Sequence, residues 1–111
     1  MTKKKVYIGA DHAGFYLKED LRVKLEADGN EGKDFSIEYV PGDDYPGYAK
    51  QVARAIQKDK EALGLLVCGT GHGMEMTADR FKGVRAFVAR TVQDASLGRQ
   101  HNHANIIVLG G

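Results

Sequence analysis

Cys68 is the only cysteine in 111 residues. A single thiol excludes an internal disulfide framework and agrees with a reducing compartment. An excess of one charge sign is also missing. Sixteen Lys+Arg against fifteen Asp+Glu leave +1, which excludes a global pull toward nucleic acid or an anionic membrane. No apolar run is long enough to cross a bilayer. Neither a leader pattern, a low-complexity linker nor an internal repeat is visible. The expectation is one cytoplasmic domain over 1–111, without nucleic-acid or membrane partners. A chain this short can bury a core but lies toward the marginal end. Lys3-Lys4-Lys5 reads as a solvated end.

What the sequence does hold is alternation between strand and helix patterns. Val6-Tyr7-Ile8-Gly9-Ala10 reads as a first strand, and Asp11-His12-Ala13-Gly14 as the turn after it. Asp11 is a candidate cap for the helix that follows. Leu17, Leu21 and Leu25 then recur every fourth residue, giving a helix over 15–27 with an apolar stripe. Asp28-Gly29-Asn30 stops it. Phe35, Ile37 and Tyr39 alternate with polar residues, which predicts a second strand over 34–40, at or near an edge. Pro41-Gly42-Asp43-Asp44 is loop, and Asp44-Tyr45-Pro46 fits a helix start. Ala49, Val52, Ala53 and Ile56 place the second helix.

The next strand, 63–67, is apolar throughout except for Gly64, as a strand buried on both faces requires. A helix over 72–81, a strand over 84–89, a short helix over 91–99 and a last strand over 105–109 complete the pattern. Met74 and Met76 read as core. Such alternation means an α/β fold, an open and mostly parallel sheet with helices on both faces. Ligands bind such sheets beyond the carboxyl ends of the strands. Asp11-His12, Asp44-Tyr45 and 68–73 fall there. The segment 99–103 precedes the last strand and belongs at the opposite rim, where it can serve a neighbouring copy's Cys68 but not its own.

Cys68-Gly69-Thr70-Gly71-His72-Gly73 joins the central strand to a helix. Alternating glycines let backbone N–H groups turn inward, and a helix N-terminus adds positive potential. The loop is built for an anion, and its field favours the Cys68 thiolate. It is not a P-loop, because no Lys follows Gly73, nor a G-x-G-x-x-G fingerprint. A cysteine phosphatase would carry Arg six residues after the Cys, where Met74 stands. A small anionic ligand or intermediate fits better than a nucleotide. The plain structural alternative is a tight turn beside a buried Cys.

Several motifs, in order along nearly the whole chain, resemble one family. Gly9-Ala10-Asp11-His12-Ala13-Gly14-Phe15, Asp44-Tyr45-Pro46, Cys68-Gly69-Thr70-Gly71-x-Gly73, Lys82-Gly83-Val84-Arg85-Ala86 and Arg99-Gln100-His101-Asn102-x-x-Asn105 are similar to ribose-5-phosphate isomerase B and the galactose-6-phosphate isomerase subunits. The resemblance implies Rossmann-like α/β/α subunits of three layers, each with a five-stranded, mostly parallel sheet. It implies homodimers with sites built from both chains, and aldose–ketose isomerisation of a sugar phosphate with neither metal nor organic cofactor. Such a reaction needs one movable base and a stabiliser for the enediolate. Cys68 suits the base, and amides around Gly69, Gly71 and Gly73, with Asn102, suit the oxyanion.

By the same resemblance His101 opens the sugar ring, Thr70 and Asp11 hold hydroxyls, Tyr45 lines the pocket and His12 meets the phosphate. Glu75 stands one residue past the position where other members carry a Glu base. That step turns a helical side chain by about 100°, so Cys68 is preferred. Family members continue past the last strand into a helix whose arginines bind the phosphate, and this sequence stops at Gly111. Arg85, Arg90 and Arg99 are not assigned that role. The alternative function is a sugar-phosphate-binding or regulatory domain without turnover.

Overall fold

The computed structural model describes residues 3–91, 93, 98–100 and 103–110. Its centre is β3, Leu63–Cys68, buried along almost its whole length. β1 (Lys5–Ala10) lies on one side of it and β5 (Ile106–Gly110) on the other. β2 (Glu31–Asp34) and β4 (Ala86–Val88) are the edges, and the order is β2-β1-β3-β5-β4. Every pairing is parallel. The sheet is the five-stranded α/β arrangement expected from the sequence.

Right-handed crossovers decide which face each helix covers. Passing from β1 to β2 runs outward and sets α1 (Phe15–Ala27) on one face. The crossovers to β3 and to β4 run the other way, and set α2 (Tyr45–Lys58) and α3 (His72–Ala78) on the opposite face. The core is split accordingly. Val6, Ile8, Ala10, Leu65 and Val67 meet Leu21 and Leu25 of α1. Leu66, Cys68, Ile106 and Val108 meet Ala49, Val52, Ala53 and Ile56 of α2 and Met74 of α3. Strand alternation therefore sends the Cys68 side chain to the α2/α3 face.

Several local expectations need correction. β2 is Glu31–Asp34 and not 34–40. The Asp34 carboxylate accepts from the Ser36 amide and hydroxyl, both at 2.8 Å. This turn ends the ladder just where the apolar alternation begins. Ile37 is left 76% exposed, and Tyr39 stacks on Tyr16 instead of entering a sheet. The stripe of α1 is not led by Leu17, which is exposed; its buried position is Lys18, with Leu21 and Leu25 half-buried. Met76 is exposed although Met74 is buried, because residues two apart point to opposite sides of a helix.

The segment read as a helix over 91–99 falls largely outside the described residues, although 93 and 98–100 are helical. No helix among the described residues is long and apolar enough to cross a membrane.

Candidate active site

The ends of β1 and β3 and the starts of α2 and α3 meet at the carboxyl rim of the sheet. Asp11 follows β1, and its amide donates to the Val67 carbonyl at 3.3 Å, tying the first loop to the end of β3. The Asp11 carboxylate accepts from the Gly14 amide at 3.1 Å. It closes the turn before α1 and does not cap the helix itself, whose first turn lacks a side-chain cap. Gly14 is needed for closeness. A Cβ there would lie 2.4 Å from the backbone carbonyl of Val67. The Asp11 side chain is buried, and its charge acts on Cys68.

Cys68 is 4% exposed. Its Sγ accepts from the Gly71 amide at 3.1 Å. Burial pushes the thiol up from its ordinary value, and the Asp11 charge adds to this; the amides of Gly71, Met74 and Thr70 pull it down without prevailing. The loop field favours the thiolate as expected, but burial sets the net direction. The inward-facing amides exist, as the glycine spacing suggested, but they offset the desolvation of a buried sulfur only in part.

The glycines of the loop have different reasons to be there. Gly71 adopts φ +90°, where side chains are strained. Gly73 makes room for Tyr45, since a Cβ would stand 2.5 Å from the ring. Gly69 has ordinary space beside it, nearest Ala13. Asp44 caps α2 by accepting from the Tyr45 amide at 2.9 Å, and this turns Tyr45 toward the first turn of α3. The Thr70 hydroxyl accepts from the His72 amide at 3.3 Å, and both residues are solvent-exposed.

Glu75 has a structural duty. Its Oε2 accepts from the Val88 amide at 2.7 Å, and Asp79 one turn later accepts from the Ala86 amide at 2.6 Å. The two carboxylates moor β4 to α3. This agrees with passing over Glu75 as a base.

His12 is held by a partner that the sequence reading treated as mere loop. The Asp43 carboxylate accepts from the His12 amide at 2.7 Å, and the His12 Nδ1 lies 3.1 Å from the Asp43 carbonyl and 3.2 Å from its Oδ1. The hydrogen bond to Asp43 raises the His12 pKa. Burial works to raise the Asp43 carboxyl, but hydrogen bonds from Tyr48 and His12 outweigh it and the net direction is down. Tyr48, donating to Asp43 Oδ2 at 2.6 Å, is pushed up to about 12. A second missed residue is Lys18. It is fully buried, its Nζ bonded to Asp34 at 2.8 Å and to the Ser36 carbonyl at 2.6 Å, and the Ser36 hydroxyl accepts from the Ala10 amide at 3.0 Å. This network fixes the end of β1 from which Asp11 and His12 depart. The one hint in the sequence was a lysine four residues after Gly14, inside the stripe.

The structure brings together Asp11, His12, Tyr45, Cys68, Gly69, Thr70, Gly71 and Gly73 on one rim. His101 and Asn102 lie outside the described residues. Asn105 leads into β5 at the other rim, where its side chain accepts from the Arg85 amide at 2.8 Å.

Comparison with known proteins agrees with this geometry. The family model described as Ribose/Galactose Isomerase matches residues 6–111. Ribose-5-phosphate isomerase B of Escherichia coli strain K12 is 40% identical over 96% of this chain and 72% of its own length. The crystal structure of a ribose 5-phosphate isomerase from Thermotoga maritima is 41% identical, with a TM-score of 0.94 over 99% of this chain and 76% of that one. Ribose-5-phosphate isomerase B from Mycoplasma genitalium, solved with bound ribulose-5-phosphate, is 34% identical, with a TM-score of 0.93 over 99% of this chain and 74% of that one. With its motifs, its sheet and nearly all of its length matched, the chain belongs to the ribose/galactose isomerase family.

Proposed function

We propose that the chain interconverts an aldose phosphate and a ketose phosphate, with ribose 5-phosphate and ribulose 5-phosphate as the substrate pair. The single observation that carries this reading is the sulfur of Cys68, cradled by loop amides beside Asp11 at the carboxyl rim. Membership of the isomerase family supports it, as does the ribulose-5-phosphate bound by the Mycoplasma genitalium relative.

In this mechanism Cys68 takes the proton from C2 of the open-chain aldose and returns it to C1, while the hydroxyl proton passes from O2 to O1. The negative charge that develops on oxygen as the enediolate forms is met by loop amides and by Asn102. His101 moves the proton that opens the sugar ring, a task suited to an imidazole near neutrality. Thr70 and Asp11 hold hydroxyls, Tyr45 walls the pocket and His12 meets the phosphate. In this reading a second copy of the chain supplies His101 and Asn102, which the start of β5 at the rim opposite to Cys68 supports. Cys68 acts as the thiolate, the form that the amides of Gly71, Met74 and Thr70 favour.

The 4% exposure of Cys68 favours one other reading, a domain that binds a sugar phosphate without turnover. One assay separates the two. Wild type and Cys68→Ala are compared for conversion of ribose 5-phosphate and for binding of the same sugar. Turnover in wild type that falls at least about a hundredfold in the variant, with binding kept, supports the isomerase. Binding without turnover in wild type supports the other reading.

A further inference from the structure

We propose that Asp43 is the positioning residue for His12, holding its ring in one orientation and one tautomer so that Nε2 is the nitrogen left for a ligand. The inference rests on the reading above only where it assigns that ligand as the substrate phosphate.

The argument begins with the acceptors. Two atoms of Asp43 approach the same ring nitrogen of His12, the backbone carbonyl at 3.1 Å and Oδ1 at 3.2 Å. A carbonyl oxygen only accepts, and an ionised carboxylate only accepts. Nδ1 must therefore carry the hydrogen. With Nδ1–H committed, a neutral His12 offers an acceptor at Nε2, and only the imidazolium offers a donor there. An anionic ligand oxygen needs the donor. Whatever keeps the ring protonated thus decides whether His12 attracts or repels an anion.

Asp43 is equipped for this. Oδ1 also takes the His12 backbone amide at 2.7 Å, so ring and backbone are fixed by one carboxylate. Oδ2 is held by the Tyr48 hydroxyl at 2.6 Å, so the carboxylate cannot swing away. Tyr48 sits on α2, one turn beyond the cap, and gives the loop a rigid anchor. The side chain of Asp43 is 13% exposed and that of His12 is 42% exposed. The orienting group is shielded while the oriented ring meets solvent. Among the described residues, the charged groups acting on His12 are Asp43 and Asp11, both acidic and both acting to keep it protonated.

The sign follows. A raised folded-state pKa means that His12 is charged at pH values where an unperturbed imidazole is already neutral. The charge is lost as pH rises through that higher value.

The test is a ¹⁵N NMR titration of His12 in the full chain, with inorganic phosphate as the anionic probe. Wild type is expected to show the Nδ1–H tautomer in its neutral form and a midpoint above 6.5. In Asp43→Asn, which keeps the backbone carbonyl and an acceptor oxygen but loses the charge, the Nδ1–H tautomer is kept while the midpoint falls to or below the ordinary imidazole value. In Tyr48→Phe, which keeps the carboxylate, the midpoint stays raised. At pH 7 the Asp43→Asn variant binds inorganic phosphate about tenfold more weakly, and KM for ribose 5-phosphate rises by a similar factor with kcat within about threefold. An Nε2–H tautomer in wild type, or an unmoved midpoint in Asp43→Asn, overturns the proposal. If the midpoint responds but phosphate binding and KM do not, Asp43 keeps its role and the phosphate assignment of His12 is what fails.

Discussion

Cys68 carries the sharpest lesson at the scale of single residues. Its place in the loop was legible, because a glycine at every second position after a buried strand has few other uses. Its protonation state was not. The sequence indicates that amides surround the sulfur, but not that the sulfur points into the α2/α3 core, where desolvation exceeds what the amides return. A pH–rate profile follows from this. A general base must be unprotonated, so log kcat at saturating substrate, where the phosphate contact no longer limits, should climb with pH through neutrality and level off only above the ordinary thiol value. A plateau beginning below pH 7 would mean that a different group sets the base. Asp43 was missed for a related reason. Beside the cap Asp44 it looks like one more loop acid, and only the fold brings it to His12, 31 residues earlier.

At the scale of elements, helices were easier to read than the edge strand. Ala49, Val52, Ala53 and Ile56 are all buried as their spacing required, and Asp44 caps α2 as expected. β2 failed because a side chain and not a hydrophobic pattern ends it. Asp34 turns the chain through Ser36, and Lys18 reaches from α1 to take both the Asp34 carboxylate and the Ser36 carbonyl. The Lys18 ammonium also lies 4.2 Å from the centre of the Phe15 ring. A lysine in an apolar stripe reads as an interruption until its partners are known. Replacing Lys18 by Met should cost about 3 kcal/mol in urea unfolding, because Asp34, 9% exposed, loses its main counter-charge. Adding Asp34→Asn should recover part of that loss. A Lys18→Met variant within about 0.5 kcal/mol of wild type would show that the network contributes little.

For the whole molecule, sheet order and strand direction set which residues share a rim. Parallel pairing of β3 with β5 puts Cys68 beside Gly110 and puts Gly64 beside Ile106. Residues just before β5 therefore stand at one rim and the sulfur at the other, separated by the five residues of β5, about 17 Å. That separation was foreseeable from the alternation of strands and helices alone. What it leaves open is the partner that spans it. Subunit mixing probes directly whether one site is shared between two copies. Cys68→Ala and His101→Ala are each purified and assayed alone, then combined in equal amounts under conditions that let subunits exchange. Each variant alone should be nearly inactive. The mixture should recover about a quarter of wild-type turnover, since about half of the dimers are then mixed and each of those holds one intact site. Two variants that fold and exchange, yet stay inactive together, would contradict a site built from both copies.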